Sequence, residues 1–371
     1  MNDHKLEIWL DGRSVGTMAE TGNHRFAFAY SDEWLNDGFA ISPFSLPVEQ
    51  KVFVPGNTSF QGLWGVFADS LPDAWGRLLV DRMLQRKGMD PGKVSPLDRL
   101  AIVGSSGMGA LTYRPAWDVR TNPALGDLDE LSSQCAAILR HEDVQDLDLL
   151  FRQGGSSGGA RPKVMTEDWI IKFPASGDMK DTGLMEKEYM DAAADCGIIV
   201  PQTKLMPSRQ CSGYFAVHRF DRQAGRRVHM LTAAAILEVD WRNASMDYNT
   251  LMKLTSILSR SNEKDILQMY RRMCFNVFAH NRDDHAKNFS WLYDPKMDCW
   301  HPSPAYDLTW STTYYGEHTT TVNGNGHDPG MRDLLAVGKN AGIRQDLCKR
   351  IAEEIEEKTQ ALEKKYRGIK S

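Results

Sequence analysis

The chain has 371 residues, 42% hydrophobic and 25% charged, with a net charge of −5; that is a globular chain long enough for two or three packed units and excludes a disordered one. A pI of about 6.1 excludes a global basic field for nucleic acid. No apolar run reaches the roughly eighteen residues of a membrane span, and the opening MNDHKLEIWLDG lacks the apolar stretch of a signal peptide.

The first elements are strands. Leu6, Ile8 and Leu10 alternate toward one face, Asp11-Gly12 is a hairpin turn signal, and Phe26, Phe28 and Tyr30 continue the period of two. Pro72 and Asp73 then suit a first helical turn, with Trp75, Leu78, Leu79 and Met83 on one face and Gly88 as the stop. Leu100 to Val103, the loop GSSGMG at 104–109 and a strand-like Ala110 to Tyr113 complete a small α+β unit, residues 1–117. No lysine follows that GSSGMG loop on a strand, so a tight turn is its expected role.

Residues 118–147 read as a helical connector, its helix carrying Leu128, Leu131, Cys135 and Leu139. From 148 to 230 the order is a Gly-rich turn, strands at Pro162–Met165 and Trp169–Phe173, a helix from about Leu184 to Cys196, and a strand Tyr214–Phe220. From 231 to 371 the chain is mostly helical. Its clearest helix has Asn262 as N-cap and Ile266, Leu267, Tyr270, Met273, Cys274, Val277 and Phe278 as an apolar stripe; a second amphipathic helix runs from Arg344 to Tyr366. A sheet-rich lobe followed by a helical one places a cleft between them, where ligands usually bind. Six scattered cysteines (Cys135, Cys196, Cys211, Cys274, Cys299, Cys348) form no Cys-x-x-Cys pair and fit a reducing cytoplasm.

The densest polar motif is His280-Asn-Arg-Asp283-Asp284-His285-Ala-Lys287-Asn288-Phe-Ser290, between the long helix and the apolar Trp291-Leu-Tyr293. Asp283 and Asn288 have the Asp-x-x-x-x-Asn spacing of a protein-kinase catalytic loop, in which the Asp accepts the substrate hydroxyl proton and the Asn holds Mg²⁺. Asp307, in Tyr306-Asp307-Leu, is placed to supply the second acidic metal ligand. Two other readings stay open on the residues alone: a turn rich in Asp and Asn, and a zinc hydrolase using His280 and His285 with Asp283 or Asp284.

Upstream, Gln153-Gly-Gly-Ser156-Ser157-Gly158-Gly159-Ala160-Arg-Pro-Lys163 has four glycines that let backbone N–H groups approach phosphates. The extended Trp169-Ile-Ile-Lys172-Phe-Pro follows it. An ammonium in an apolar strand calls for an anion such as an ATP phosphate, with Glu188 on the next helix as an expected partner of Lys172; the alternative is an edge-strand lysine that snorkels.

These segments, with Ala216-Val-His-Arg-Phe-Asp221-Arg and Phe67-Ala-Asp-Ser-Leu-Pro-Asp73, resemble the HipA-type serine/threonine kinases, toxins of bacterial toxin–antitoxin pairs, along nearly the whole chain. The resemblance implies a kinase-like two-lobed α+β fold with an extra N-terminal α+β domain, and Mg²⁺ and ATP as cofactors. Asp283 would be catalytic, and Asn288 and Asp307 would hold the metal. Lys163 and Lys172 would meet the nucleotide phosphates, and Val217, His218 and Phe220 would lie in the strand that meets adenine. Gly158, Gly159 and Ala160 of the loop, and His285 and Lys287 of the catalytic motif, are assigned to the nucleotide as well. Ser156, or Ser157 beside it, matches the serine that the family phosphorylates on itself. The resemblance further implies an aminoacyl-tRNA synthetase as substrate, a helix-turn-helix antitoxin of the HipB kind as partner, operator DNA reached only through it, no membrane, and a cytoplasmic location. A small-molecule kinase and a catalytically weak antitoxin partner are the alternatives. Two positions depart from the family pattern: Asp284 stands where glycine is usual, so an extra carboxylate is expected beside the metal or facing solvent, and Arg161-Pro162 replaces Gln-Glu.

Overall fold

Alternation, turn chemistry and helical periodicity resolve, in a computed structural model, into two units: residues 1–179 with 207–240, and residues 180–206 with 241–371. The structure describes residues 5–22, 25–56, 59–117, 125–155, 158–175, 177–242, 246–313 and 316–367. The chain crosses between units three times, so the helix expected in the sheet-rich segment belongs to the second unit.

In the first unit the opening hairpin forms as its residues dictate. Lys5–Leu10 pairs antiparallel with Arg13–Thr21, Leu10 facing Arg13 across Asp11 and Gly12, both at positive φ. Arg25–Tyr30 and Thr112–Arg114 flank that pair in one four-stranded sheet. Leu6, Ile8, Met18, Phe26 and Phe28 fill its inner face, each at most 2% exposed. The helix Ala74–Arg86 buries Trp75, Leu79 and Met83 as expected.

A second sheet in this unit carries the nucleotide candidates. Lys163–Met165 pairs antiparallel with Trp169–Lys172, which pairs antiparallel with Tyr214–His218. Before it comes the helix Leu147–Gly154, whose last two residues, Gln153 and Gly154, open the stretch expected as a Gly-rich turn. Gly154 is there for space: a Cβ on it would lie 2.7 Å from the Lys163 carbonyl oxygen and 2.9 Å from Leu79.

The GSSGMG loop is held by a buried ionic cluster. Arg219 donates to both Asp221 carboxylate oxygens (3.0 and 2.9 Å), and Arg222 donates to Asp221 at 2.6 Å and to the Gly107 and Gly109 carbonyls. Arg227 donates to the carbonyls of Ser105 and Gly109, and the Gly109 N–H donates back to Asp221 at 2.8 Å. Burial pushes Arg222 down to about 10, while against the burial penalty the Arg219 charge holds Asp221 low. The loop is a tight turn, as read, and it is bolted in place.

The second unit is built on the helix Glu263–Phe278, capped by Asn262, whose side chain accepts from the Lys264 N–H. Around it lie the helices Thr182–Asp195, Tyr248–Leu258, Met331–Asn340 and Gln345–Tyr366 and the hairpin Ser290–Asp294/Cys299–Pro302. Among the described residues, no helix is long and apolar enough to cross a membrane.

Candidate functional site

The polar loop 280–290 is clamped on both sides. On one side Ser311 donates its N–H to the His280 carbonyl at 3.1 Å, with a parallel bridge from Asn281 to Ser311. On the other, Thr319 donates its N–H to the Arg282 carbonyl at 3.0 Å, and Thr320 donates to Asp284 through both N–H and Oγ1. Rigid walls of this kind fix where each loop side chain points.

Two adjacent aspartates then part company. Asp284 is fully buried; its Oδ2 accepts from the Tyr248 hydroxyl at 2.8 Å and meets His318 Nδ1 at 3.0 Å, and its Oδ1 accepts from the Thr320 N–H at 3.0 Å. Tyr248 is itself held by Asn276, which also binds Asn281, so the loop rests on a continuous buried polar network. Burial, then the Asp284 charge, pushes the Tyr248 phenol well up, which keeps it a donor. Asp284 is therefore neither a solvent-facing carboxylate nor an additional acid at a metal: it is a structural anchor.

Asp283 points the other way, with its side chain 56% exposed. It lines an open hollow of about 490 Å³ together with Trp241, Arg242, His285, Ser311, Thr312, Thr313 and Thr319. His285 Nδ1 accepts from the Lys287 N–H at 3.2 Å, so in the neutral ring Nε2 bears the hydrogen, 3.9 Å from Asp283 Oδ1. The ring also stacks on Trp241, with centroids 4.9 Å apart. The Asn288 amide donates Nδ2–H to the Asp283 carbonyl at 2.7 Å, which leaves Oδ1 turned away as a hard acceptor. Tyr306 donates to the Lys287 carbonyl at 2.6 Å and ties the segment carrying Asp307 to the loop; Asp307 itself takes the left-handed φ of +53°. Hard oxygens on Asn288 and Asp307 are the donor type that Mg²⁺ takes.

The zinc alternative has no geometry behind it. His280 stacks on Trp310 and lies 3.7 Å from Glu363, while His285 faces the hollow. Among the described residues, no three His, Cys, Asp or Glu side chains gather where they could hold a metal.

In the first unit, register sorts the other candidates. Lys163 and Lys172 are direct partners across their strands, so both side chains leave the same face of the sheet, and Val217 shares that face through its pairing with Ile170. Lys163 Nζ donates to the Gly158 carbonyl at 2.5 Å, and Lys172 Nζ lies 5.5 Å from the Phe215 ring centroid. Gly159 takes φ +78°, with a Cβ position only 2.8 Å from Lys163 Nζ, and its N–H donates to Asp73 at 3.1 Å. His218 goes to the opposite face, where it stacks edge-on against Trp169 at 5.3 Å, so its side chain is not with the lysines. Phe220 lies just past that strand, half-buried, and Ala160 is exposed at the end of the glycine loop. Ser156 and Ser157 lie outside the described residues.

Glu188 is a correction. Instead of waiting for Lys172, it accepts from Lys365 Nζ (2.7 and 2.6 Å) and from the Tyr366 hydroxyl (2.7 Å) on the C-terminal helix of its own unit. The buried carboxylate of its helix is Glu186, 2% exposed. Trp241 and Arg242 were also missed, since nothing local marks a Trp-Arg pair as part of a site 40 residues on.

Comparison with known proteins places the chain. Residues 6–114 match the HipA N-terminal domain and residues 155–362 the HipA-like C-terminal domain, so the chain belongs to the HipA family. Two curated proteins of Sinorhizobium fredii (strain NBRC 101917 / NGR234) are similar to it. One, named putative kinase Y4mE, is 29% identical over 83% of this chain and 78% of its own length; the other, named putative kinase Y4dM, is 26% identical over 86% and 80%. HipA of Shewanella oneidensis MR-1, solved with HipB and its operator DNA, has the same fold: the TM-score is 0.71 at 18% identity, over 99% of this chain and 92% of that one.

Proposed function

We propose that the chain is an Mg²⁺-ATP-dependent serine/threonine protein kinase of the toxin kind, with a kinase-like two-lobed fold. The observation that carries this reading is the pair of unlike aspartates: a fully buried Asp284 that fixes the loop and an exposed Asp283 presented to an open hollow. A loop that spends three buried hydrogen bonds on one carboxylate to hold its neighbour in solvent is organised for chemistry.

Asp283 orients the acceptor hydroxyl and takes its proton as the oxygen bonds to the γ-phosphorus; the bond from that phosphorus to the β–γ bridging oxygen breaks, and ADP leaves. Asn288 and Asp307 are the residues that would hold Mg²⁺, which when bound draws negative charge off the phosphate oxygens. Lys163 and Lys172, two ammoniums on one sheet face, bind the phosphates, and Val217 on that face offers apolar contact to the base.

Membership of the HipA family and the names of the curated relatives support kinase chemistry. The Shewanella complex supports a HipB-like antitoxin as partner; with a net charge of −5, this chain reaches operator DNA only through it. An aminoacyl-tRNA synthetase is the proposed substrate, and Ser156 or Ser157 the site of self-phosphorylation. The test is transfer from γ-labelled ATP with Mg²⁺, with and without bacterial lysate, for wild type and Asp283→Asn. Label on the chain or on a synthetase-sized protein that D283N abolishes is the expected result. ATP binding with no label on any protein refutes the reading.

A further inference from the structure

The start of one helix grips the glycine loop. Asp73 is the N-cap of Ala74–Arg86, yet its side chain makes no cap hydrogen bond to that helix. Its Oδ2 accepts instead from the Gly159 N–H at 3.1 Å, 86 residues on. Trp75 adds two more bonds. Its N–H, in the first turn where a helix leaves donors without an internal partner, donates to the Gly159 carbonyl at 3.3 Å, and its indole N–H donates to the Lys163 carbonyl at 3.1 Å. Each side supplies what the other lacks. Trp75 is 1% exposed, so the base of this joint is packed in place. Lys163 Nζ holds the loop from its other end by donating to the Gly158 carbonyl. The helix lies in the N-terminal domain match and the loop in the C-terminal one, while both belong to the first unit.

We propose that Asp73 is a positioning residue for the nucleotide: its hydrogen bond to Gly159 latches the glycine loop onto the N-terminal helix and so sets how tightly the chain holds ATP. This rests on the kinase reading and deepens it. Glycine gives up more conformational freedom on ordering than any other residue, so a loop carrying Gly158 and Gly159 meets phosphate at full strength only when something else has already ordered it. The latch does so before ATP arrives, and through the Gly158 carbonyl it fixes the Lys163 ammonium with the loop. An unlatched loop lowers the apparent affinity by the fraction of time it spends out of place. Asp73 takes no part in the transfer itself; it acts through Gly159.

The test compares the full chain with D73S and D73N. Serine keeps a strong N-cap for the helix, so the fold is held, but its side chain is one bond short of Gly159. Asparagine keeps an oxygen for the Gly159 N–H without the charge. Titration calorimetry with Mg²⁺-ATP, label transfer to lysate protein at rising ATP, and amide hydrogen exchange over residues 158–165 are read on each. D73S is expected to exchange faster in this stretch, to bind ATP about tenfold more weakly and to need about tenfold more ATP for half-maximal transfer, with kcat within about twofold of wild type. A role in helix stability alone would lower the melting temperature and leave KM and kcat where they were. D73N is expected to stay within about threefold of the wild-type affinity. Unchanged exchange or unchanged ATP affinity in D73S overturns the latch. So does ATP binding by D73N more than about threefold tighter than wild type, since the carboxylate would then compete with the phosphates. Affinities that shift as expected, with no transfer to any protein, leave the latch standing and refute the kinase reading instead.

Discussion

Replacing Asp284 by alanine should be far more damaging to the fold than replacing Asp283, one residue away. The substitution strands three donors that now reach one buried carboxylate: the Tyr248 hydroxyl, His318 Nδ1 and the Thr320 N–H. Each buried donor left unmet costs about 1–3 kcal/mol, and some of the three relax toward one another, so the loss is about 3–5 kcal/mol. At about 2–4 °C per kcal/mol for a unit of this size, the melting temperature falls by about 6–20 °C. D284N keeps one acceptor oxygen but aims an N–H at a donor, and should fall between. The Asp283 side chain is 56% exposed, so the D283N melting temperature should stay within about 2 °C of wild type, while phosphate transfer drops by about 10²–10⁴-fold. Calorimetry with urea unfolding and a transfer assay read both quantities on the same preparations. A D284A protein that melts with the wild type but loses only transfer would refute the anchor role and return Asp284 to the metal site.

Other expectations follow from the same geometry. If the proposed nucleotide site is right, K172M and K163M should each weaken ATP binding at least about tenfold by titration calorimetry, since the two lysines leave one face of the sheet; unchanged affinity would place the nucleotide elsewhere. Asp221→Asn leaves the Arg219 and Arg222 charges buried without their carboxylate and should cost about 3–5 kcal/mol in urea unfolding. A buried group and a half-buried one should give opposite pH slopes. Burial lowers His229 from 6.5 to about 4, so its contribution is present above pH 6.5 and is lost as pH falls toward 4. Burial raises Glu238 from 4.5 to about 7, so its contribution is present below pH 4.5 and is lost as pH rises toward 7. Each is worth about 2–3 kcal/mol and they offset in the wild type; H229Q should gain stability on acidification and E238Q should lose it. Parallel slopes in the two variants would contradict this.

What the sequence displayed locally, the structure kept. Asp11-Gly12 turns a hairpin, Asn262 caps its helix, and the Asp283 to Asn288 spacing puts the two residues within one hydrogen bond of each other, because these signals act over a few residues. The misreadings are contacts made at long range. Asp284 is buried by Tyr248, His318 and Thr320, each 34 to 36 residues away, and Glu188 is claimed by Lys365 and Tyr366, 177 and 178 residues on. Gly154 misled for a different reason: glycine was taken as a sign of turning, and here it is required by the close approach of Lys163. The N-terminal family match ends at residue 114, close to the expected division at 117, while the first unit runs on to residue 179.

The arginine cluster around Asp221 bears on how this chain can be cut and recombined. Its guanidiniums come from residues 219–227, yet the carbonyls they grip belong to residues 105–109, on the far side of the boundary that the N-terminal match draws at 114. A transplant of the first 114 residues onto a relative, or their removal, would strip five acceptor carbonyl contacts from three largely buried cations and leave Asp221 to offset them without that support. The N-terminal segment therefore travels as half of a joint. Successful chimeras will be those that carry residues 104–109 and 219–227 from the same parent.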